Sequence, residues 1–174
     1  FPTRRSSDLF TYEEQSAPQA AQFPNGNVMI VWQSYSQDTS GYGVYGKIYD
    51  ETGREVMMET RLNNYINSNQ KSPIISIIGG GNALVLWISR FQDGDDYGIF
   101  GKIISPDGNI VVDEFQVNGY FKSYQNSPQI LNLQNENVLI AWQSNTADGS
   151  GNGIYAKIID PMNNVVTPEF RIND

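Results

Sequence analysis

WQSYSQDTSGYGVYGKIYD (32–50), WISRFQDGDDYGIFGKIIS (87–105) and WQSNTADGSGNGIYAKIID (142–160) are three versions of one segment, each 55 residues after the last. The register extends in both directions without a gap. Pro18, Pro73 and Pro128 hold it upstream, as do Gln15, Gln70 and Gln125, and Asn63, Asn118 and Asn173 hold it downstream. The chain therefore divides into three units, 10–64, 65–119 and 120–174, and a fixed period of this size is the signature of a repeat architecture.

Each unit carries four strand signals separated by turn chemistry. Strand one reads PQAAQF, PIISII or PQILNL, and PNGN, GGGN or QNEN turns it into NVMIVWQS, NALVLWIS or NVLIAWQS. That second strand is apolar on both faces, which predicts a central position. The third strand, GVYGKIY, GIFGKII or GIYAKII, leads through DETGR, SPDGN or DPMNN into a fourth, where Pro168 cannot donate a ladder hydrogen bond and so marks an edge. Period two puts Val44, Gly46 and Ile48 on one face with Val56, Met58 and Leu62, and Tyr45, Lys47 and Tyr49 on the other. The small Gly46, Gly101 and Ala156 leave room for a neighbouring sheet. Lys47, Lys102 and Lys157 fall opposite Glu59, Glu114 and Glu169, in reach of cross-hairpin pairing. The expectation is an all-β chain of three four-stranded antiparallel sheets resembling β-propeller blades. Three blades do not close a ring, because propellers use about four to eight. The sheets then form part of a ring, share one between chains, or stack linearly.

Composition narrows the chemistry. The net charge is −8, from 11 Lys and Arg against 19 Asp and Glu, so nucleic acid and anionic membrane are poor partners. With no Cys and no His, thiol nucleophiles, imidazole bases and the usual zinc ligands are all absent. Oxygen ligands remain, which makes Ca²⁺ the one metal worth considering. The acidic, Asn- and Gly-rich, Lys-poor chain suits an extracellular or cell-surface setting, and no transmembrane run calls for membrane insertion.

The W-x-S, D-G and G-I-Y-G elements quoted above resemble the tandem repeats of large secreted bacterial surface proteins, often neighbours of hemolysin-type calcium repeats, and of some protist surface proteins. The resemblance covers residues 10–174 and implies an extracellular, multi-repeat, non-catalytic architecture. Ala156 in place of the second motif glycine and Asn163 in place of the turn glycine depart from the pattern. Asn tolerates the left-handed backbone that such a turn demands.

Three sets of residues are candidate sites. Asp148, Ser150 and Asn152 ahead of Gly153 follow the alternate spacing of a calcium loop, with Asp93 and Asp95 in unit two and Asp38 and Ser40 in unit one as weaker versions. An ordinary Asp/Gly turn accounts for the same residues, and no bidentate Glu follows. Tyr45, Phe100 and Tyr155 are candidate sugar-stacking rings, set against packing between sheets. Trp32, Trp87 and Trp142, with Ile48, Ile103 and Ile158, read as repeat core. Nothing forms a recognisable catalytic set, so the expected function is a structural or adhesive module of a surface protein, pairing with itself or further repeats through open sheet edges. The alternatives are a carbohydrate- or protein-binding propeller and a glycosidase-like propeller enzyme.

Residues 1–9, FPTRRSSDL, match no repeat position and resemble the in-frame translation of a common sequencing adapter. They are expected to be foreign to the fold, which makes three blades a lower bound.

Overall fold

A computed structural model of the chain describes residues 13–173 apart from 146, 148 and 150. The nonapeptide 1–9 and two of the proposed calcium ligands, Asp148 and Ser150, lie outside these residues.

The described residues form twelve strands in three antiparallel sheets. Blade 1 holds β1 (Gln15–Gln22), β2 (Val28–Tyr35), β3 (Tyr42–Tyr49) and β4 (Glu55–Arg61). Blade 2 holds β5 (Gln70–Ile77), β6 (Ala83–Arg90), β7 (Tyr97–Ile104) and β8 (Ile110–Gln116). Blade 3 holds β9 (Gln125–Asn132), β10 (Val138–Asn145), β11 (Asn152–Ile159) and β12 (Val165–Arg171). Strands follow sequence order within each sheet, so every connection inside a blade is a hairpin. No helix is long and apolar enough to cross a membrane.

The turns explain why the hairpins form where they do. Gly26, Gly53, Gly81 and Gly108 take positive φ, and Asn163 at φ 65° occupies the place of Gly53 and Gly108 as its chemistry allows. The repeated proline has a less obvious cause. Ala17, Ser72 and Ser127 all have φ between 51° and 56°, and each sits where the register of the first strand slips against the second. Pro18, Pro73 and Pro128 follow immediately, so a residue without an N–H stands at a β-bulge where the ladder is already interrupted. Pro168 lies in β12, at the edge of its sheet, as expected.

Packing between sheets makes the core. One cluster joins Met29, Val31, Val44, Ile48 and Leu62 of blade 1 to Ala83, Val85, Trp87 and Phe100 of blade 2. The other repeats it one blade on, joining Leu84, Leu86, Ile99, Ile103 and Val117 to Val138, Ile140, Trp142 and Tyr155. The second strand of blade 2 thus faces two interfaces, the even-numbered residues of β6 packing onto blade 3 and the odd-numbered ones onto blade 1. That is the physical reason for its apolar character on both faces. Trp87 and Trp142 are buried in these interfaces, whereas Trp32 is half-buried because no described blade precedes it. Ile48 and Ile103 are likewise buried, and Ile158 is half-buried.

Three local expectations need correction. In β4 a bulge between the Gly46–Thr60 and Ile48–Met57 pairs shifts the alternation, so Met57 packs inward and Met58 is left 70% exposed. The space at Gly101 is filled from within its own blade, where a Cβ would stand 2.5 Å from Leu86 Cδ2 and 3.1 Å from Phe115 Cζ. The Lys–Glu partners do not pair across the hairpin. Lys47 is buried and reaches Glu55 at 3.2 Å, and Lys102 reaches Asp113 at 3.1 Å. The glutamates instead hold the preceding blade. Glu114 accepts from the Asn64 N–H at 2.6 Å and Glu169 from the Gly119 N–H at 2.6 Å, while Lys157 donates to the Val117 carbonyl at 2.7 Å. A repeated charge at constant spacing here ties blade to blade.

Candidate functional site

Chain direction puts the loops between second and third strands, the links between blades and the start of each first strand at one end of the molecule. The links are set by a buried amide pair. Asn63 Oδ1 accepts from the Val44 N–H at 2.7 Å while its Nδ2 donates to the Tyr65 carbonyl at 2.8 Å and to Gln70 Oε1 at 3.3 Å. Asn118 repeats the pattern with the Ile99 N–H at 2.7 Å, the Tyr120 carbonyl at 2.8 Å and Gln125 Oε1 at 3.3 Å. Asn173 accepts from the Ile154 N–H at 2.6 Å. In the sequence these residues mark only the register. Their role is to satisfy polar backbone inside a sharp inter-blade link, which buried groups require.

The Asp/Gly loops at this end are tied to the inter-blade links and to neighbouring strands. Asp38 Oδ1 accepts from the Ser40 N–H at 3.3 Å, and the Ser40 hydroxyl accepts from the Ser68 N–H at 3.0 Å. Asp93 Oδ2 accepts from Gln116 at 3.3 Å, and Asp95 Oδ2 from the Ser123 N–H at 3.0 Å in the next link. Asn152 Oδ1 accepts from Asn145 at 2.8 Å. Among the described residues no group of three or more acidic side chains is arranged to hold a metal ion. The repeated glycine also finds its reason here, since a Cβ at Gly43 would lie 2.7 Å from Asp38 Oδ2 and one at Gly98 would collide with the Asp93 carboxylate.

Burial pushes the Asp93 carboxyl above its usual 3.8. The folded chain then holds this proton more tightly than the unfolded chain does. The stability linked to Asp93 is complete below pH 3.8 and is lost as pH rises through the folded value. Asp93→Asn should remove that loss, raising the melting temperature relative to the parent more at about pH 7 than at about pH 3 in calorimetry. An equal shift at both pH values would contradict it.

The rings nominated for sugar stacking are not available. Tyr45, Phe100 and Tyr155 are 5%, 5% and 9% exposed, Phe100 and Tyr155 within the clusters that join their blades to the preceding one. Burial raises the Tyr45 hydroxyl to about 12, with the Asp38 carboxylate adding to the effect. A different aromatic stands open. Tyr124 is 37% exposed and meets Tyr97 edge-on, with ring centroids 5.6 Å apart and planes at 83°. It lines a cleft of about 460 Å³ between the first strands of blades 2 and 3, with Lys71, Asn126, Gln129 and Gln143. Lys71 Nζ lies 5.0 Å from the Tyr97 ring centroid, so Tyr97 stands behind both the ammonium and the Tyr124 ring that line the cleft. The lining offers amides, hydroxyls and one cation, and no carboxylate. Such a set recognises hydroxyl-rich neutral ligands, with the ring supplying an apolar platform. In the sequence Tyr124 is hidden because it stands at the link position occupied by Asn69 in blade 2 and Glu14 in blade 1, outside the repeat consensus.

No protein-family model and no curated protein matches this chain. Solved structures do share its fold. An endo-arabinase from Bacteroides thetaiotaomicron superposes with a TM-score of 0.60 at 16% identity over 98% of this chain and 64% of that one. A thermostable family-43 glycoside hydrolase gives 0.60 at 10% identity over 92% and 55%. The α-L-arabinanase of Penicillium chrysogenum, solved with arabinobiose, gives 0.60 at 14% identity over 89% and 49%. The chain thus spans about half to two-thirds of these enzymes. These likenesses overturn two expectations from the sequence, the non-catalytic adhesive module and the exclusion of enzymes. The folds to which the three blades correspond are those of glycoside hydrolases, and the repeat resemblance missed this because blade geometry survives where sequence identity does not.

Proposed function

We propose that the chain supplies three blades of a glycosidase-like propeller and that the cleft at Tyr124 is a sugar subsite of it. The observation that carries this reading is the braced, exposed Tyr124 ring beside the Asn126, Gln129 and Gln143 amides. It is supported by the fold shared with the endo-arabinase and the α-L-arabinanase. Glycosidic cleavage takes two carboxylates flanking the scissile bond. The cleft lining contains none, so the task assigned to it is holding a sugar ring in place for cleavage rather than transferring protons. The reading includes an extracellular setting, supported by the acidic, Lys-poor composition.

Isothermal titration with arabino- and xylo-oligosaccharides tests the subsite, and release of reducing ends in the same mixtures tests cleavage. Saturable binding is expected, weakened about tenfold by Tyr124→Ala, which corresponds to about 1.4 kcal/mol for one stacking platform. Absence of saturable heat with every oligosaccharide, or full binding by the Tyr124→Ala variant, would sink the assignment.

A further inference from the structure

In a chain of net charge −8 a cation readily finds an acid, and most of the basic side chains in the sheets have done so. Lys47, Arg54, Arg90 and Lys102 each sit between 3.1 and 3.3 Å from a carboxylate, that of Glu55, Asp50, Asp96 and Asp113 in turn. Lys71 is different. Among the described residues no carboxylate pairs with it, and its ammonium lies instead over the Tyr97 ring, in the lining of the Tyr124 cleft. The acids of the β6–β7 loop are engaged elsewhere, Asp95 Oδ2 accepting from the Ser123 N–H at 3.0 Å and Asp96 pairing with Arg90. Attraction to a ring face is weaker than a charge-assisted hydrogen bond, so the ammonium keeps its capacity for an anion. The repeat supplies a comparison inside the chain. One blade earlier Ser16 stands at the position of Lys71 and Asn69 at that of Tyr124. Cation and exposed ring are thus both departures from the repeat, and they line the same cleft.

We infer that Lys71 makes this cleft selective for an acidic sugar, its ammonium binding the carboxylate of a uronosyl residue while Tyr124 and the Asn126, Gln129 and Gln143 amides hold the sugar itself. This selectivity rests on the sugar subsite proposed above, whose ring and amides serve neutral sugars too; Lys71 adds the preference for charge. Lys71 is half-buried and the lining holds no carboxylate to repel the ligand. The net charge of the chain opposes an anion at long range, but that field is screened beyond about 10 Å at 0.1 M salt, so the nearby ammonium decides.

Titration calorimetry of the full 174-residue chain with glucuronosyl-xylotriose and with trigalacturonate, each beside its own methyl ester, isolates the charge, because acid and ester share every ring and linkage. In at least one pair the acid is expected to bind about tenfold tighter than the ester at about 50 mM NaCl, and the advantage should shrink to about threefold or less at about 500 mM. Lys71→Met should bring the ratio of acid to ester affinity to about one, whereas Lys71→Arg, which keeps the charge, should hold it above about threefold. Circular dichroism melting checks that both variants fold, and the salt series on the parent needs neither. Equal affinity for acid and ester in both pairs, an advantage indifferent to salt, or a preference that survives Lys71→Met would each overturn the selectivity while leaving the sugar subsite in place. No binding of any oligosaccharide, neutral or acidic, would overturn both.

Discussion

Trp87→Ala should cost about 3–5 kcal/mol, the largest single effect expected in this chain. The ring is fully buried between blades 1 and 2 and packs in the cluster that holds Val31, Val44 and Ile48. Its removal empties a space bounded by two sheets whose backbones are fixed by their own ladders, so little collapse is available to refill it. Domains of this size are stable by roughly 5–15 kcal/mol, so the loss approaches a third or more of the total. Repeat proteins unfold through nearest-neighbour interfaces, and severing the contact between blades 1 and 2 should also split one cooperative transition into two. Guanidinium unfolding followed by circular dichroism reads both effects. Trp87→Phe is the control. It keeps most of the ring volume and removes an indole N–H that has no hydrogen-bond partner, so its cost should be well under half that of the alanine variant. Equal losses from Phe and Ala would mean that the ring is not held by packing.

Asn118→Ala is the second large effect, on the order of 3 kcal/mol. The side chain is 3% exposed and holds three partners, the Ile99 N–H, the Tyr120 carbonyl and Gln125. Alanine leaves a buried N–H and a buried carbonyl with nothing to bind, and the unmade bonds outweigh the bonds themselves. Asn118→Asp separates geometry from chemistry. The carboxylate can still accept from Ile99 yet cannot donate to Tyr120, and it places a second acid near Asp93. Its melting temperature should therefore fall further at about pH 7 than at about pH 3, where both acids are protonated. A pH-independent deficit would show that only the amide's shape matters.

Both variants touch residues that the sequence marks by recurrence alone. Trp32, Trp87 and Trp142 are legible as core because an indole inside an apolar strand at fixed period has few other places to be. The recurrence of Asn63, Asn118 and Asn173 is equally plain, yet its cause is hidden. The amide's three partners lie 2, 7 and 19 residues away and meet only when the link folds back over the third strand. The Lys–Glu pattern misleads for a related reason. Within one hairpin the two charges face each other, but the link of the preceding blade presents backbone N–H groups that Glu114 and Glu169 take instead, while the buried Lys47 and Lys102 pair with Glu55 and Asp113.

The sequence by itself determined the repeat, the four strands of each blade, their order and the position of the turns. These follow from local chemistry, namely period-two alternation, Gly and Asn at positive φ and proline at the bulge. The candidate site was not legible in it. The alternation of one strand leaves Tyr45, Phe100 and Tyr155 open to either stacking or packing, and the fold buries all three, Phe100 and Tyr155 against the neighbouring sheet. Tyr124 looks incidental because its repeat partners are Asn69 and Glu14, and only the approach of the first strands of blades 2 and 3 turns it into the wall of a cleft. Strand periodicity reports which side of a sheet a residue faces. What covers that side is settled by how one sheet packs on the next, a contact between residues about 55 positions apart that no local pattern encodes.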